Sequence, residues 1–481
     1  MSMRPDRPSR AEWRWVLVLV GLALALRVGF VLFEQPGFYF EDSLDYDRAA
    51  RAFLETGHFD ARYYRFPLYP LVMAASYGMF GPTLTPLRII QAIFGAGMCL
   101  CIWVLGRRLF GIRAGLLALF GAAVFPVHVV LAGIEYPVVI GTFLIWWVLA
   151  LVKGDKAGTV SDTIRLILAG VGVALSAMLF EGGWVLALFL CLWIFFGQTA
   201  RSIGLRALAI GGLTSVVVLA PWLYGMMKSG DYRALVLRPG LHLPAAPGVN
   251  APLWKGSGEN LLMSKLSGLA RNPWWTMHHA WTEFIHFWDP YPDRLASADK
   301  NFREKLHEQD ARMVADNSLV GDLSQHVYAA GFSALLAIAA IGALVALRTV
   351  PGSGLLVAWP VALGVCYAPF FTQMRYRIPA DPAFILLGAY AVELTLKKSL
   401  WGEGLGSLKS LWQGWKRIAE KIAVVQTFVL LLLLFVVGLG PISLLMKLFR
   451  KDPMHAPRSP GSFWALRERT RERMEECLKQ F

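Results

Sequence analysis

The chain has 481 residues, of which 56% are hydrophobic and only 17% charged, whereas soluble domains run nearer one quarter charged, so an ordinary water-soluble globule is excluded. The formal charge of +14 does not point to nucleic acid, because Lys and Arg fall in short clusters between apolar runs, the pattern that orients membrane proteins. Of the five cysteines, Cys99, Cys101, Cys191 and Cys366 lie inside apolar segments and Cys477 lies in the tail, which is neither a disulfide framework nor a metal-binding spacing.

In chain order, Arg4, Arg7, Arg10 and Arg14 precede an apolar run from Val16 to Phe33. The run is too long for a secretory signal and has no small-residue cleavage site, so it predicts a retained first helix with a cytoplasmic N-terminus. Further membrane-length runs, about 20 residues each, are predicted near 87–105, 114–133, 137–152, 164–181, 183–197, 206–224, 329–347, 354–371, 380–396 and 422–446. Pro67 to Phe80 adds an extra or re-entrant segment. The expected fold is an all-α polytopic membrane protein with about 11–13 transmembrane helices.

Basic residues support this orientation. Arg107, Arg108 and Arg113, then Lys153 and Lys156, Arg201 and Arg206, Arg348, and Lys397 and Lys398 all fall in predicted cytoplasmic turns. The division is into a transmembrane module over 1–224 with a first outer loop at 34–66, an extracytoplasmic insert over 225–327, C-terminal helices over 328–446 and a basic tail over 447–481. The insert is too long to be a mere connector. Residues 400–421, with Trp401, Trp412 and Trp415 among Lys409, Lys416 and Arg417, read as an amphipathic segment on the inner leaflet or as a plain basic loop.

Chemistry is concentrated on the predicted outer side. Carboxylates near hydrocarbon bind ions, pair or react, and the first outer loop opens with Asp42-Ser43-Leu44-Asp45-Tyr46. By position alone Asp42 is the N-cap of a helix starting at Ser43, with Asp45 as a capping-box-like partner and Gly57 as the stop. In the insert, His279, Glu283 and His286 are spaced to share one helix face, either as metal ligands or as part of a helix packed on the membrane surface. Trp254, Trp274, Trp275, Trp281 and Trp288 suit sugar stacking and equally suit the membrane interface.

An ordered set of motifs goes further. ALRVGF at Ala25–Phe30, DSLDY at Asp42–Tyr46, RFPLYPLVMAASYGMFG at Arg65–Gly81 and GRRLFG at Gly106–Gly111 are followed by FPVHVVLAGIEYP at Phe125–Pro137, LAPWLYGMMKSGDY at Leu219–Tyr232, HFWDPYP at His286–Pro292 and RYRIPADP at Arg375–Pro382. Together they resemble the C-type glycosyltransferases (the GT-C fold), and most of all glycosyltransferase family 39, with its protein O-mannosyltransferases and aminoarabinose transferases. The resemblance implies an inner-membrane enzyme that takes a sugar from a polyprenyl-phosphate donor and passes it, with inversion, to an extracytoplasmic lipid, glycan or protein.

Under that resemblance Asp42 is the candidate base and Glu135 a second cavity acid, which orients the acceptor, shares a divalent metal with Asp42 or caps the following helix. Arg375 and Arg377 are candidate phosphate ligands or interfacial anchors, Arg65 a further phosphate ligand, and Arg27 a phosphate or acid partner or a snorkelling residue. Tyr46, Glu41 and Tyr376 complete the expected acceptor cavity. Two departures stand out: Ser43 replaces the second acid relatives often carry, and Leu179-Phe180-Glu181-Gly182 stands where they often place a basic residue with proline. A transporter or flippase of lipid-linked sugars, or a non-catalytic binder of lipid-linked glycans, is the alternative; transporters place polar groups at the midplane.

Overall fold

The computed structural model describes residues 8–33, 38, 41–59, 63, 65–152, 160–196, 201–229, 258–290, 318–370, 372 and 374–397. The predicted span at 422–446, the amphipathic segment at 400–421 and the basic tail lie outside the described residues. Within them every regular element is helical: α1 (Arg10–Phe33), α2 (Glu41–Thr56), α3 (Leu68–Phe80), α4 (Leu84–Phe110), α5 (Ile112–Val124), α6 (Pro126–Val130), α7 (Val138–Val152), α8 (Val160–Ala177), α9 (Glu181–Phe196), α10 (Arg201–Ser229), α11 (Gly258–Arg271), α12 (Pro273–Trp288), α13 (Ser318–Thr349), α14 (Gly354–Tyr367), α15 (Met374–Arg377) and α16 (Asp381–Leu396). Short 3-10 turns follow α6 and α15.

Five described helices are long and apolar enough to cross a membrane, and α5 with α6 forms a sixth that is bent by 57°. Four shorter apolar helices, at Leu68–Phe80, Val138–Val152, Glu181–Phe195 and Gly354–Tyr367, pack among them. The protein is a multi-pass membrane protein. Its centre is α4, which packs on α1, α5 and α7, while α16 packs on α5 and α13. Leu213, Val216, Val217 and Tyr224 of α10 are exposed, as expected of a helix face turned to lipid rather than to water.

Four boundaries differ from those predicted. The single span expected at 114–133 is broken between Phe125 and Pro126, because proline has no N–H to continue the ladder and drives the preceding residue out of the helical region; Phe125 has φ −62° and ψ 116°. Helix α10 continues to Ser229 and α13 already starts at Ser318, so both ends of the expected insert are helical extensions of spans. Helix α2 starts at Glu41 rather than Ser43, which places Asp42 inside its first turn. Its stop is as expected: Gly57 takes φ +73° and its N–H donates to the Phe53 carbonyl at 2.9 Å.

The break after α5 leaves carbonyls without helical partners in a water-poor interior. Arg27 of α1 supplies them. It is fully buried, and its Nη1 donates to the carbonyls of Ala23 (2.9 Å) and Ala123 (3.2 Å), its Nη2 to that of Ala122 (3.0 Å) and to Cys99 Sγ (3.6 Å). The Arg27 side chain packs against Gly95 of α4, where an added Cβ would come within 2.8 Å of Arg27 Nε. At the far end of α4, Arg107 pairs with buried Glu12 of α1 at 2.6 Å and Arg108 Nη1 donates to the Ala150 carbonyl in the last turn of α7 at 2.6 Å. Arg88 near the start of α4 and Arg107 near its end are separated by about 28 Å of helical rise, close to the hydrocarbon thickness of a bilayer.

Replacing Arg27 by Ala should strip the α5 carbonyls of their donors and destabilise the fold by about 3 kcal/mol. Gly95→Val should act in the same direction by displacing the guanidinium. Thermal unfolding of the purified protein in lipid discs checks both; wild-type stability in Arg27→Ala would show that the break is held by something else.

Candidate active site

Four segments far apart in sequence meet where α3, α7 and α16 begin. Helix α2 brings Asp42 and Asp45, the approach to α3 brings Arg65, the turn before α7 brings Glu135 and Tyr136, and α15 brings Arg375 and Tyr376. Asp42 is the hub. Its Oδ1 accepts from Arg65 Nη2 at 2.6 Å, and its Oδ2 accepts from Arg375 Nη1 at 2.6 Å and from the Tyr136 hydroxyl. Arg65 also donates to Asp45 Oδ2 from Nε (3.2 Å) and Nη2 (2.9 Å), so one guanidinium bridges two carboxylates.

Aromatic rings fix the cations. The Arg375 guanidinium carbon lies 5.1 Å from the centroid of the Tyr136 ring and 5.2 Å from that of Tyr376, and Tyr376 stacks on Tyr367 at 4.4 Å. Arg375 also donates to both phenolic oxygens, at 3.3 Å to Tyr376. Tyr46 is buried, faces Arg65 at 5.6 Å and packs edge-on to Tyr69 and Tyr136. Such contacts hold a desolvated guanidinium in place while leaving it cationic. Burial, its largest influence, pushes the Tyr136 hydroxyl well above the ordinary phenol range, so it stays protonated and serves Asp42 as a donor.

Glu135 takes a different position from the one expected. It is completely buried, its Oε1 accepts from Arg88 of α4, and its backbone carbonyl accepts from Ser43 Oγ at 2.8 Å. Burial pushes its carboxyl upward and Arg88 pulls it down. Gln91, held by the Tyr69 hydroxyl at 2.8 Å, donates to the carbonyls of Ala132 (3.1 Å) and Ile134 (2.9 Å). These bonds clamp the turn 132–135, and the residue that the clamp presents to Asp42 is Tyr136. A second buried acid, Asp47, accepts from Tyr77 at 2.6 Å and Arg51 at 2.8 Å and fastens α2 to α3.

Arg27 and Arg377 are not part of the Asp42 cluster. Arg27 is on the α5 break, and Arg377 is buried with Nη1 donating to the carbonyls of Phe287 (3.0 Å) and Asp289 (2.6 Å), at the end of α12, over the Phe332 ring. Glu41 begins α2, and its side chain lies outside what is described. His279 Nε2 lies 3.3 Å from the Phe370 carbonyl, while buried Glu283 accepts from the Thr372 N–H at 2.8 Å. Among the described residues no group of three His, Cys, Asp or Glu side chains is placed to hold a metal ion. A dication at Asp42 would compete with Arg65 and Arg375 for its carboxylate.

A small cleft opens beside this cluster. Tyr136, Pro137 and Val138 form one wall, Phe180 and Glu181 another, and Arg375 with Tyr376 a third. Tyr136 is the principal residue that sequence reasoning passed over. The signal was present in the Glu135-Tyr136-Pro137 run, but the charged neighbour drew the assignment.

With this geometry in place, comparison with known proteins is informative. Residues 65–224 match the model of the dolichyl-phosphate-mannose-protein mannosyltransferase family. The resemblance to C-type membrane glycosyltransferases stands. The matched mannosyltransferase segment holds the motifs at Arg65–Gly81, Gly106–Gly111 and Phe125–Pro137, with Arg65, Glu135 and Tyr136, while Asp42 and Arg375 lie outside it. No curated protein matches. Solved structures similar to the chain include ArnT from Cupriavidus metallidurans in the apo state (17% identity, TM-score 0.48, covering 82% of this chain and 63% of that one). Another is the same protein bound to undecaprenyl phosphate (17%, 0.48, 83% and 63%). A third is the archaeal oligosaccharyltransferase AglB from Archaeoglobus fulgidus in complex with an inhibitory peptide and a dolichol-phosphate (14%, 0.49, 87% and 55%). The chain therefore spans less than two thirds of the length of these structures.

If the Arg88–Glu135 pair clamps the turn, Glu135→Ala should leave the buried Arg88 guanidinium without its carboxylate and cost about 3–5 kcal/mol. The double variant Arg88→Met with Glu135→Leu should recover much of that loss, because an apolar pair of similar volume needs no solvation. Unfolding curves of the two single variants and the double variant measure this directly; a double variant as unstable as the sum of the singles would contradict it.

Proposed function

We propose that the protein transfers one sugar from a polyprenyl-phosphate donor to a hydroxyl or phosphate of an extracytoplasmic lipid, glycan or protein, at the outer face of a bacterial-type inner membrane. The observation that carries this reading is Asp42 held between Arg65, Arg375 and Tyr136, of which Arg375 and Tyr136 line a cleft. Such a cluster supplies a base and two phosphate-binding cations within one constellation. The mannosyltransferase family match over 65–224 supports the same class of chemistry.

The reaction needs little more than these groups. As the acceptor oxygen attacks the anomeric carbon, the bond from that carbon to the phosphate oxygen breaks and its electron pair leaves with the phosphate. Arg375 and Arg65 stabilise the growing charge on the leaving oxygens, and Asp42 takes the acceptor proton. In the absence of donor both guanidiniums are on Asp42, which suppresses its basicity. A donor phosphate competes for them, and their shift from carboxylate to phosphate leaves Asp42 more basic when the nucleophile arrives. Tyr136 keeps one hydrogen bond on Asp42 and so fixes its orientation.

The displacement is single and inverting, with one base and no covalent intermediate. Glu135 acts here as a positioning residue for Tyr136 through its pairing with Arg88. The cluster lies at one end of the helices, where α3, α7 and α16 begin, rather than at their midpoints, which favours transfer over transport.

Asp42→Asn should lower single-turnover sugar release by roughly 10²–10⁴-fold while donor binding persists, and Arg375→Lys should weaken both because a point charge replaces a bidentate fork. The assay is release from radiolabelled polyprenyl-phosphate sugars by full-length protein in lipid discs, with and without acceptor extracts. Wild-type turnover in Asp42→Asn would remove the base assignment. Binding without release across donors and acceptors would favour a carrier.

A further inference from the structure

The backbone that carries Arg375 is held from two helices at one oxygen. Arg375 lies in the single turn of α15, which runs straight into the 3-10 turn Ile378–Ala380. A 3-10 turn closes the Pro379 carbonyl with the N–H three residues on, but that residue is Pro382, which has none. Two indoles meet the carbonyl: Trp146 Nε1 of α7 donates to it at 3.0 Å and Trp359 Nε1 of α14 at 2.9 Å. Both tryptophans are fully buried, and Ile378, Pro379 and Ala380 are buried with them, so water is not at hand to replace either donor.

Each of these helices also holds the segment at a second point. Helix α7 follows directly on Tyr136 and Pro137, and the Tyr136 ring lies 5.1 Å from the Arg375 guanidinium; α14 ends at Tyr367, which stacks on Tyr376 at 4.4 Å. We infer that Trp146 and Trp359 are positioning residues for Arg375: together on the Pro379 carbonyl, they fix the backbone from which this guanidinium reaches the donor phosphate. The inference rests on the transfer reading above. In the free protein Arg375 is held through its own side chain as well, by Asp42, Tyr136 and Tyr376. When the guanidinium turns from Asp42 to a phosphate that contact is given up, and the placement of the main chain then decides how well the fork meets the leaving oxygens. The two donors back each other up. Removing one leaves the other on the carbonyl, whereas removing both releases it.

The test uses the whole chain in lipid discs, with Trp146→Phe, Trp359→Phe and the double variant made beside Arg375 and again beside Arg375→Lys. Phenylalanine keeps most of the ring and deletes the N–H. The readouts are single-turnover sugar release from radiolabelled polyprenyl-phosphate sugars and binding of polyprenyl phosphate itself. With Arg375 in place, each single variant should slow release about fivefold and the double variant about 100-fold, the scale of a misplacement near 1 Å. The double variant should also bind polyprenyl phosphate about tenfold more weakly. Beside Arg375→Lys the same substitutions should change either readout by less than about twofold, because a point charge on a flexible stem does not depend on the exact placement of its backbone. Variants that melt earlier yet release sugar and bind polyprenyl phosphate as wild type does would overturn the inference, since the indoles would then serve stability alone. Equal losses in the Arg375 and Arg375→Lys series would overturn it too, because the indoles would then act through another group. If the double variant does not fold, the single variants decide by the same comparison of the two series. Absence of release by wild type from every donor would instead overturn the transfer reading, and this inference with it.

Discussion

Helix ends in and beside hydrocarbon leave carbonyls that water cannot reach, and much of this protein follows from how they are satisfied. Arg27 serves the end of α5, Arg108 the end of α7 and Arg377 the end of α12. In each case a cation meets the negative pole of a helix, so the donor is held by charge as well as by hydrogen bonds. The consequence for the fold is that helices can stop short and turn within the bundle. The break at Phe125–Pro126, made tolerable by Arg27, delivers the chain through α6 to the turn that carries Glu135 and Tyr136.

Other arginines meet carboxylates, and two of these meetings differ in character. Arg88 and Glu135 are both sealed from solvent and face each other; the pair fastens a turn, and its desolvation is offset by mutual attraction. Arg65 and Arg375 share Asp42; Arg65 is buried, while Asp42 and Arg375 keep part of their side chains exposed, and Arg375 lines a cleft. Here the charges balance without being sealed away, so an anionic ligand can compete for the guanidiniums. Partial solvent access at Asp42 and Arg375 distinguishes this cluster from the sealed Arg88–Glu135 pair.

Rigidity underneath the cluster comes from aromatic and small residues. Tyr46, Tyr69 and Tyr136 pack edge to edge beneath Arg65, Tyr367 stacks on Tyr376 beneath Arg375, and Gly141, Gly182 and Gly183 let Phe180 and α8 close on each other. Close packing of this kind fixes geometry through shape rather than through directional bonds. The polar atoms that would react are thus presented by a floor that has few alternative arrangements.

Composition and apolar periodicity alone determined that the protein is helical and polytopic, because bilayer thickness demands long apolar runs whatever the tertiary packing. Asp42, Arg65 and Arg375 were legible as candidates, because charge at the membrane edge is costly and therefore informative. The different placements of Arg27, Arg377 and Glu135 were not legible. A guanidinium can serve a lipid phosphate, a carboxylate or a helix-end carbonyl with the same letters in the chain, and only the tertiary structure decides which acceptor lies within about 3 Å of it. The same holds for Tyr136, since which of two adjacent residues faces Asp42 depends on how Arg88 and Gln91 of another helix grip the turn. Sequence limits which groups can pay the desolvation cost; three-dimensional packing assigns each of them a partner.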